Sequence, residues 1–327
     1  MTNNAQTARL LTPKSVYTFD YPEAVEFADK QNSIFWLHNE IDLEKDIQDI
    51  LVNLTEAERH GVITVLKLFT EYELNVGGEY WGDKIVKYFN RPDIIRMANC
   101  FSFFELNVHA PFYNRINELL HLNTEEFYTS YKNDPVLSSR MAFIDEVLND
   151  DDIAYSLGVF AMVEGAILYS NFAFLKHFQS QGKNKMKNLI AGLNFGVRDE
   201  NLHHLGACWL FRTLLSELKL SPEQQTELYE RIYKAADMIR EHEHKICDMI
   251  FEKGKIEGIT AHQMKNFIDS RIDLCLQNLG LQELYRPASN PIGEWFYLGI
   301  SQTVIHDFFA QVGSQYHRNW SEESFAW

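Results

Sequence analysis

The sequence predicts an all-α protein, a bundle of long helices, on three observations. From Thr55 to about Ile305, apolar residues recur at helical spacing in long segments separated by short breaks. Few runs alternate with period two, so no substantial sheet is expected. The chain has 327 residues, 46% of them hydrophobic and 13% aromatic, which is enough to bury a sizeable core between helices.

Taken in order, Thr55 offers an N-cap, Glu56 and Glu58 an acidic first turn, and apolar residues follow at helical spacing through Phe69. Gly77-Gly78 and Asn90-Arg91-Pro92 read as breaks. Pro92 opens a helix running through Leu120, with Pro111 an odd interior guest. Pro135 and residues 182–187 mark loops, and Ser221-Pro222-Glu223 starts another helix by cap and N1 proline. Val159 to Leu175 is apolar enough to suggest a membrane span, but it falls just short in length and carries Glu164 near its centre. It reads as a fully buried helix. Gly254, Gly258 and residues 287–293 break the last third, and Tyr316 to Trp327 read as polar chain without fixed structure.

A formal charge of −16 argues against nucleic-acid binding, which needs clustered Lys and Arg to neutralise phosphate. The four cysteines, Cys100, Cys208, Cys247 and Cys275, contain no CxxC pair and read as buried small hydrophobes in a reducing compartment. Met1 to Lys14 lacks the apolar core of a signal peptide, so a cytoplasmic location is expected, with no membrane.

Four acids sit where acids are costly. Glu164 lies between Val159-Phe160-Ala161-Met162-Val163 and Ala166-Ile167-Leu168. Glu105 follows Phe101-Ser102-Phe103-Phe104, with His109 a turn on. Glu200 and His203 form an ExxH pair, and Glu73 stands one turn past Phe69. Any one of these alone has a bland reading, a solvated helix face or an arginine pair. Glu241-His242-Glu243-His244 is read in that way, as an exposed helix with no role. The conjunction is different. Two helices each supply one Glu and two supply a Glu–His pair about a turn apart, the ligand set of ferritin-like dinuclear carboxylate bundles. Four carboxylates carry a charge that two divalent cations balance, and mixed carboxylate and imidazole ligands suit iron or manganese better than calcium.

Gly196-Val197-Arg198-Asp199-Glu200-Asn201-Leu202-His203 resembles the RDExLH-type signature of class I ribonucleotide reductase small subunits. The order Glu73, Glu105, His109, Glu164, Glu200, His203 resembles that family's order of metal ligands, although many members carry Asp where Glu73 stands. Tyr113 falls at the position of the family's radical tyrosine. Ile34-Phe35-Trp36 followed by Asp42 resembles the segment of its electron-transfer tryptophan, and Phe308 to Tyr316 the stretch ending in its tail tyrosine. The resemblance implies a ferritin-like helical domain over residues 21–310, after an extension at 1–20 and before a tail at 311–327 that binds the large catalytic subunit. It implies a homodimer with two metal ions, iron being expected and manganese or a mixed pair open, that oxidise Tyr113 among Phe112, Leu168 and Phe172. Asp199 would orient His109, Trp36 would continue the path, and Tyr316 would pass the radical on. The substrate nucleotide would belong to the partner, since this chain has neither a Gly-rich phosphate loop nor a cysteine trio for thiyl chemistry.

The sequence departs from the family at one place. Members space the second Glu and first His as ExxH, whereas Glu105 and His109 are ExxxH. Each helical residue turns about 100°, so an unadjusted extra residue swings one ligand away. A π-bulge would absorb it, and Pro111, which cannot bond the Asn107 carbonyl, favours an irregular ladder there. A plain proline kink with Glu105 displaced is the other possibility. Other readings of the whole are a desaturase-like di-metal oxidase, a ferritin-like iron store, or a helical scaffold without metal. The scaffold would leave Glu164 buried and unpaired, and the oxidase would have no use for Trp36, Tyr113 and Tyr316 together.

Overall fold

The computed structural model describes residues 8–298. Their regular structure is helical, with one isolated bridge between Ile256 and Ile259 and no strand among the described residues. The helices are α1 (Pro22–Ser33), α2 (Glu56–Glu73), α3 (Val86–Tyr88), α4 (Pro92–Phe104), α5 (Ala110–Leu119), α6 (Glu125–Thr129), α7 (Pro135–Asn149), α8 (Ile153–Met162), α9 (Tyr169–Lys176), α10 (Lys187–Leu218), α11 (Pro222–Ile250) and α12 (Ala261–Leu279). Residues 291–298 form a last helical stretch. The all-α expectation holds.

Helix starts follow their caps. Thr55 and Glu58 exchange side-chain-to-backbone bonds at 3.2 and 2.9 Å, and Ser221 with Gln224 and Thr260 with Gln263 form capping boxes. Asp134 and Asp152 cap α7 and α8. Gly280 ends α12 in the left-handed region, at φ 84°.

Three wide turns interrupt these helices. π-helical segments follow α2 (Leu74–Ile85), join α4 to α5 (Glu105–His109) and join α8 to α9 (Val163–Ile167). The Gly77-Gly78 pair therefore does not break the chain; it lies within the first of them. A Cβ at Gly77 would come within 2.6 Å of the Glu105 Cβ, so glycine there serves close helix approach.

α8, its wide turn and α9 form the centre. Every residue from Ser156 to Phe178 is buried, so this segment is a core helix and not a membrane span. α10 and α11 pack along α8, α12 against α9 and α11, α4 against α1, and α2 against α5.

Two expectations need correction. Glu241 to His244 is not a uniformly exposed stretch. Glu243 is fully buried, 3.3 Å from Arg140 Nε and accepting from Ser170 Oγ at 2.6 Å, and His244 bonds Asp269 at 2.8 Å. Glu243 shares the buried stripe of Ile239, Ile246 and Ile250, and that spacing outweighs the polarity of its neighbours. Cys100 is only partly buried, its thiol facing the Ala28 carbonyl and Asn32 at the α1–α4 seam, whereas the other three cysteines are core residues.

Candidate metal centre

The six residues Glu73, Glu105, His109, Glu164, Glu200 and His203 come together in the bundle core, each at most 1% exposed. α2 brings Glu73 at its last residue, the Glu105–His109 turn brings two groups, the Val163–Ile167 turn brings Glu164, and α10 brings Glu200 and His203. Their donor atoms fall into two sets, each within 4.8 Å: Glu73, Glu105, His109 and Glu200 in one, and Glu105, Glu164, Glu200 and His203 in the other. Glu105 and Glu200 belong to both, which is the arrangement two neighbouring cations sharing carboxylate bridges require.

The extra residue between Glu105 and His109 is absorbed by a π-turn over those five residues. Glu105 and His109 consequently face the same place, with His109 Nδ1 2.7 Å from Glu105 Oε2. The proline-kink alternative, with Glu105 turned away, is not what forms. Pro111 sits at the start of α5, where a missing N–H costs little.

His109 turns its other nitrogen outward. Nε2 lies 3.2 Å from Asp199 Oδ2, and the same oxygen accepts the Trp36 indole N–H at 2.7 Å. Asp199 and Trp36 are both buried, and the Trp36 ring leans on His109 with centroids 6.1 Å apart. Tyr113 is 1% exposed; the Phe69 ring lies 4.3 Å from its own and the Phe112 ring 5.4 Å, with Phe172 against Phe69 at 5.8 Å. A Cβ at Gly196 would come within 3.7 Å of the Tyr113 hydroxyl. Tyr316, and the whole stretch from Phe308 to Trp327, lie outside the described residues.

One partner escaped the sequence reading. The Trp81 indole N–H donates to Glu164 Oε1 at 2.5 Å. The only available signal was general: a buried indole N–H needs an acceptor.

The electrostatics show a cluster with too much negative charge for its burial. Burial, with Glu105 as neighbour, pushes Glu73 far above the usual carboxylate range; burial, with Glu200, does the same to Glu164; Glu200 is raised by burial and Glu105. Burial would also raise Glu105, but His109 and His203 hold it well below its ordinary value. Burial opposes the charge on His109, yet Glu105 and Asp199 raise its pKa well above the ordinary imidazole value. Burial and Glu73 push the Tyr113 phenol up.

Both Glu73 oxygens, Glu105 Oε1, Glu164 Oε2, Glu200 Oε1 and both His203 nitrogens are buried without a hydrogen-bond partner, although Glu105 Oε1 touches His203 Nδ1. Buried polar atoms are ordinarily satisfied. Four carboxylates and two imidazoles converging here, with Glu105 Oε1 and Glu200 Oε1 met only by the neighbouring imidazoles and both Glu73 oxygens by no hydrogen bond, fit a pair of divalent cations, which would satisfy the donors and cancel the charge together.

The model of the family described as "Ribonucleotide reductase, small chain" matches residues 14–291. A "Probable ribonucleoside-diphosphate reductase small subunit" of Invertebrate iridescent virus 3 is 26% identical over 317 residues, covering 91% of this chain and 82% of the relative. The Danio rerio ribonucleoside-diphosphate reductase subunit M2 is 25% identical over 315 residues, covering 93% and 75%. The dimanganese(II)-NrdF structure from Streptococcus sanguinis superposes with a TM-score of 0.76 at 22% identity, covering 88% of this chain and all of that one, and shows that the fold is shared.

Proposed function

The chain belongs to the ribonucleotide reductase small-chain family, and from that premise we propose that it is the radical-generating subunit of a class I ribonucleoside-diphosphate reductase, working with a large catalytic subunit. The observation that carries this reading is the buried cluster itself, six ligand-type residues in two overlapping sets joined by a hydrogen-bonded line to Trp36.

Glu73 and His109 would hold one metal, Glu164 and His203 the other, with Glu105 and Glu200 shared. A bound pair of redox-active divalent metals supplies, with an oxidant, the potential needed to take an electron from a phenol. Either iron or manganese suits this donor set. Tyr113 is our candidate for that phenol. Its enclosure by Phe69 and Phe112 keeps water and reductants from an oxidised ring. Asp199 fixes the His109 ring through Nε2, the role an outer carboxylate commonly plays for a ligating histidine. The same carboxylate keeps the Trp36 indole proton within a hydrogen bond, so Trp36 can exchange an electron without stranding a charge in the core.

We further propose that the chain dimerises, acts in the cytoplasm, and engages its partner through the tail at 311–327, with Tyr316 on the radical route. Trp320, Phe325 and Trp327 are anchors of the kind that dominate interfaces. Mixing the metal-loaded chain with a class I large subunit should yield deoxyribonucleotide, and a synthetic 311–327 peptide should suppress that turnover. Absence of turnover with a competent large subunit would leave the di-metal oxidase reading in its place.

A further inference from the structure

Two buried side chains from different helices hold the carbonyls of Val163 and Gly165, the residues on either side of Glu164. From α2, the Tyr72 hydroxyl donates to the Val163 carbonyl at 2.8 Å. From α12, Arg271 donates through Nε and Nη2 to the Gly165 carbonyl at 3.0 and 2.6 Å. Both side chains are 1% exposed. The two carbonyls lie in the π-turn Val163–Ile167, where the regular ladder is interrupted and backbone groups are open to outside donors. Shortly before that turn, the Ala161 carbonyl takes His204 Nδ1 at 2.7 Å. Alternate carbonyls at 161, 163 and 165 are thus each held from a different helix.

The turn has little room to move. A Cβ at Gly165 would come within 2.5 Å of both Cys275 Sγ and His204 Nδ1, so the backbone already touches α10 and α12. Backbone this tightly placed transmits a change at an anchor to the residue it carries instead of absorbing it.

Arg271 has a second engagement. Its Nη1 donates to the Tyr297 hydroxyl at 3.0 Å, and its guanidinium carbon lies 3.7 Å from the Tyr169 ring centroid. Tyr297 sits in the 291–298 stretch, the last described before the C-terminal segment. A guanidinium is a rigid planar fork, so the direction of one N–H pair fixes the others. One buried arginine therefore ties the Glu164 turn to the C-terminal end of the described chain.

We infer that Tyr72 and Arg271 are positioning residues for Glu164, and that Arg271 makes the set of that carboxylate depend on the contact with Tyr297. The inference rests on Glu164 being a metal ligand, and the test separates the two claims.

The experiment titrates Mn(II) without oxygen into the full-length chain and into Glu164→Gln, Arg271→Lys, Tyr72→Phe and Tyr297→Phe. It reads stoichiometry, affinity and the electron paramagnetic resonance line shape, with a thermal melt of each variant. Lysine keeps the charge of Arg271 but cannot grip the Gly165 carbonyl twice while reaching Tyr297. Arg271→Lys should weaken one of the two Mn(II) sites by about tenfold or more, the usual effect of disturbing a residue behind a ligand. Tyr297→Phe and Tyr72→Phe should alter the line shape in fully folded protein. Wild-type affinity and line shape in Tyr72→Phe and Tyr297→Phe, and in Arg271→Lys if it folds, would overturn the inference even where melting temperatures fall, because that is what a purely structural role predicts. If Glu164→Gln itself matches wild type, the ligand assignment fails and takes this inference with it.

Discussion

The Trp36 indole N–H donates to Oδ2 of Asp199 at 2.7 Å, joining residues 163 apart in sequence inside the core. Asp199 Oδ2 also faces His109 Nε2, so one oxygen links the tryptophan to the imidazole we propose as a metal ligand. Trp36→Phe keeps an aromatic ring but removes the N–H and the easily oxidised indole. The variant should bind metal as wild type does and lose nucleotide reduction with the large subunit by about 10- to 100-fold. Turnover within a few-fold of wild type would take Trp36 off the route.

Glu164 has one oxygen committed to Trp81 and the other without a hydrogen-bond partner. Glu164→Ala removes that donor from a cluster with no spare carboxylate, and metal loading should fall from two equivalents toward one. Two equivalents bound at undiminished affinity, measured by elemental analysis after dialysis, would show that Glu164 is not a ligand.

Metal affinity should rise with pH. In the metal-free chain burial and neighbouring carboxylates raise Glu73 and Glu164, and Glu105 and Asp199 raise His109 against the effect of burial. Each holds a proton above its ordinary value and must lose it to coordinate a cation, so binding releases protons. Affinity then strengthens as pH climbs toward those raised values and levels off beyond them. Glu105, held low by His109 and His203, is already ionised at neutral pH and adds nothing there. Calorimetry of Mn(II) binding in buffers of different ionisation enthalpy should show proton release near neutrality, and pH-independent affinity with no release would contradict this.

Gly77→Ala should destabilise the chain by about 1–3 kcal/mol, the ordinary cost of overpacking a core. The added methyl would press on the Glu105 Cβ, so metal binding should weaken as well. A denaturant melt alongside a Mn(II) titration checks both, and unchanged values in the two together would mean that the α2 extension and the Glu105 turn are not in tight contact.

The long helices and the six clustered side chains were legible because both are written in local spacing. Apolar residues at helical period mark the bundle, and acids inside apolar runs mark the cluster. The Glu105–His109 turn was legible for a different reason: ExxxH carries one residue more than the family's ExxH, and an extra residue on a regular helix turns one of the two flanks by about 100° unless it is absorbed locally. Gly77-Gly78 misled because a glycine pair looks the same whether it breaks a helix or lets a neighbour approach. Glu243 misled because charged neighbours hid its place on the stripe of Ile239 and Ile246. Trp81, Tyr72 and Arg271 were not legible, because each acts on a carboxylate or carbonyl many residues away and has no local pattern to announce it.

The central claim is that this core holds two metals that oxidise Tyr113. Its most direct test is low-temperature electron paramagnetic resonance, with metal analysis, on freshly oxidised wild type and Tyr113→Phe. Two metal ions per chain in both proteins, with a tyrosyl signal in wild type that disappears in Tyr113→Phe, is the predicted result. Failure to bind metal, or a tyrosyl signal that survives in Tyr113→Phe, would contradict the account.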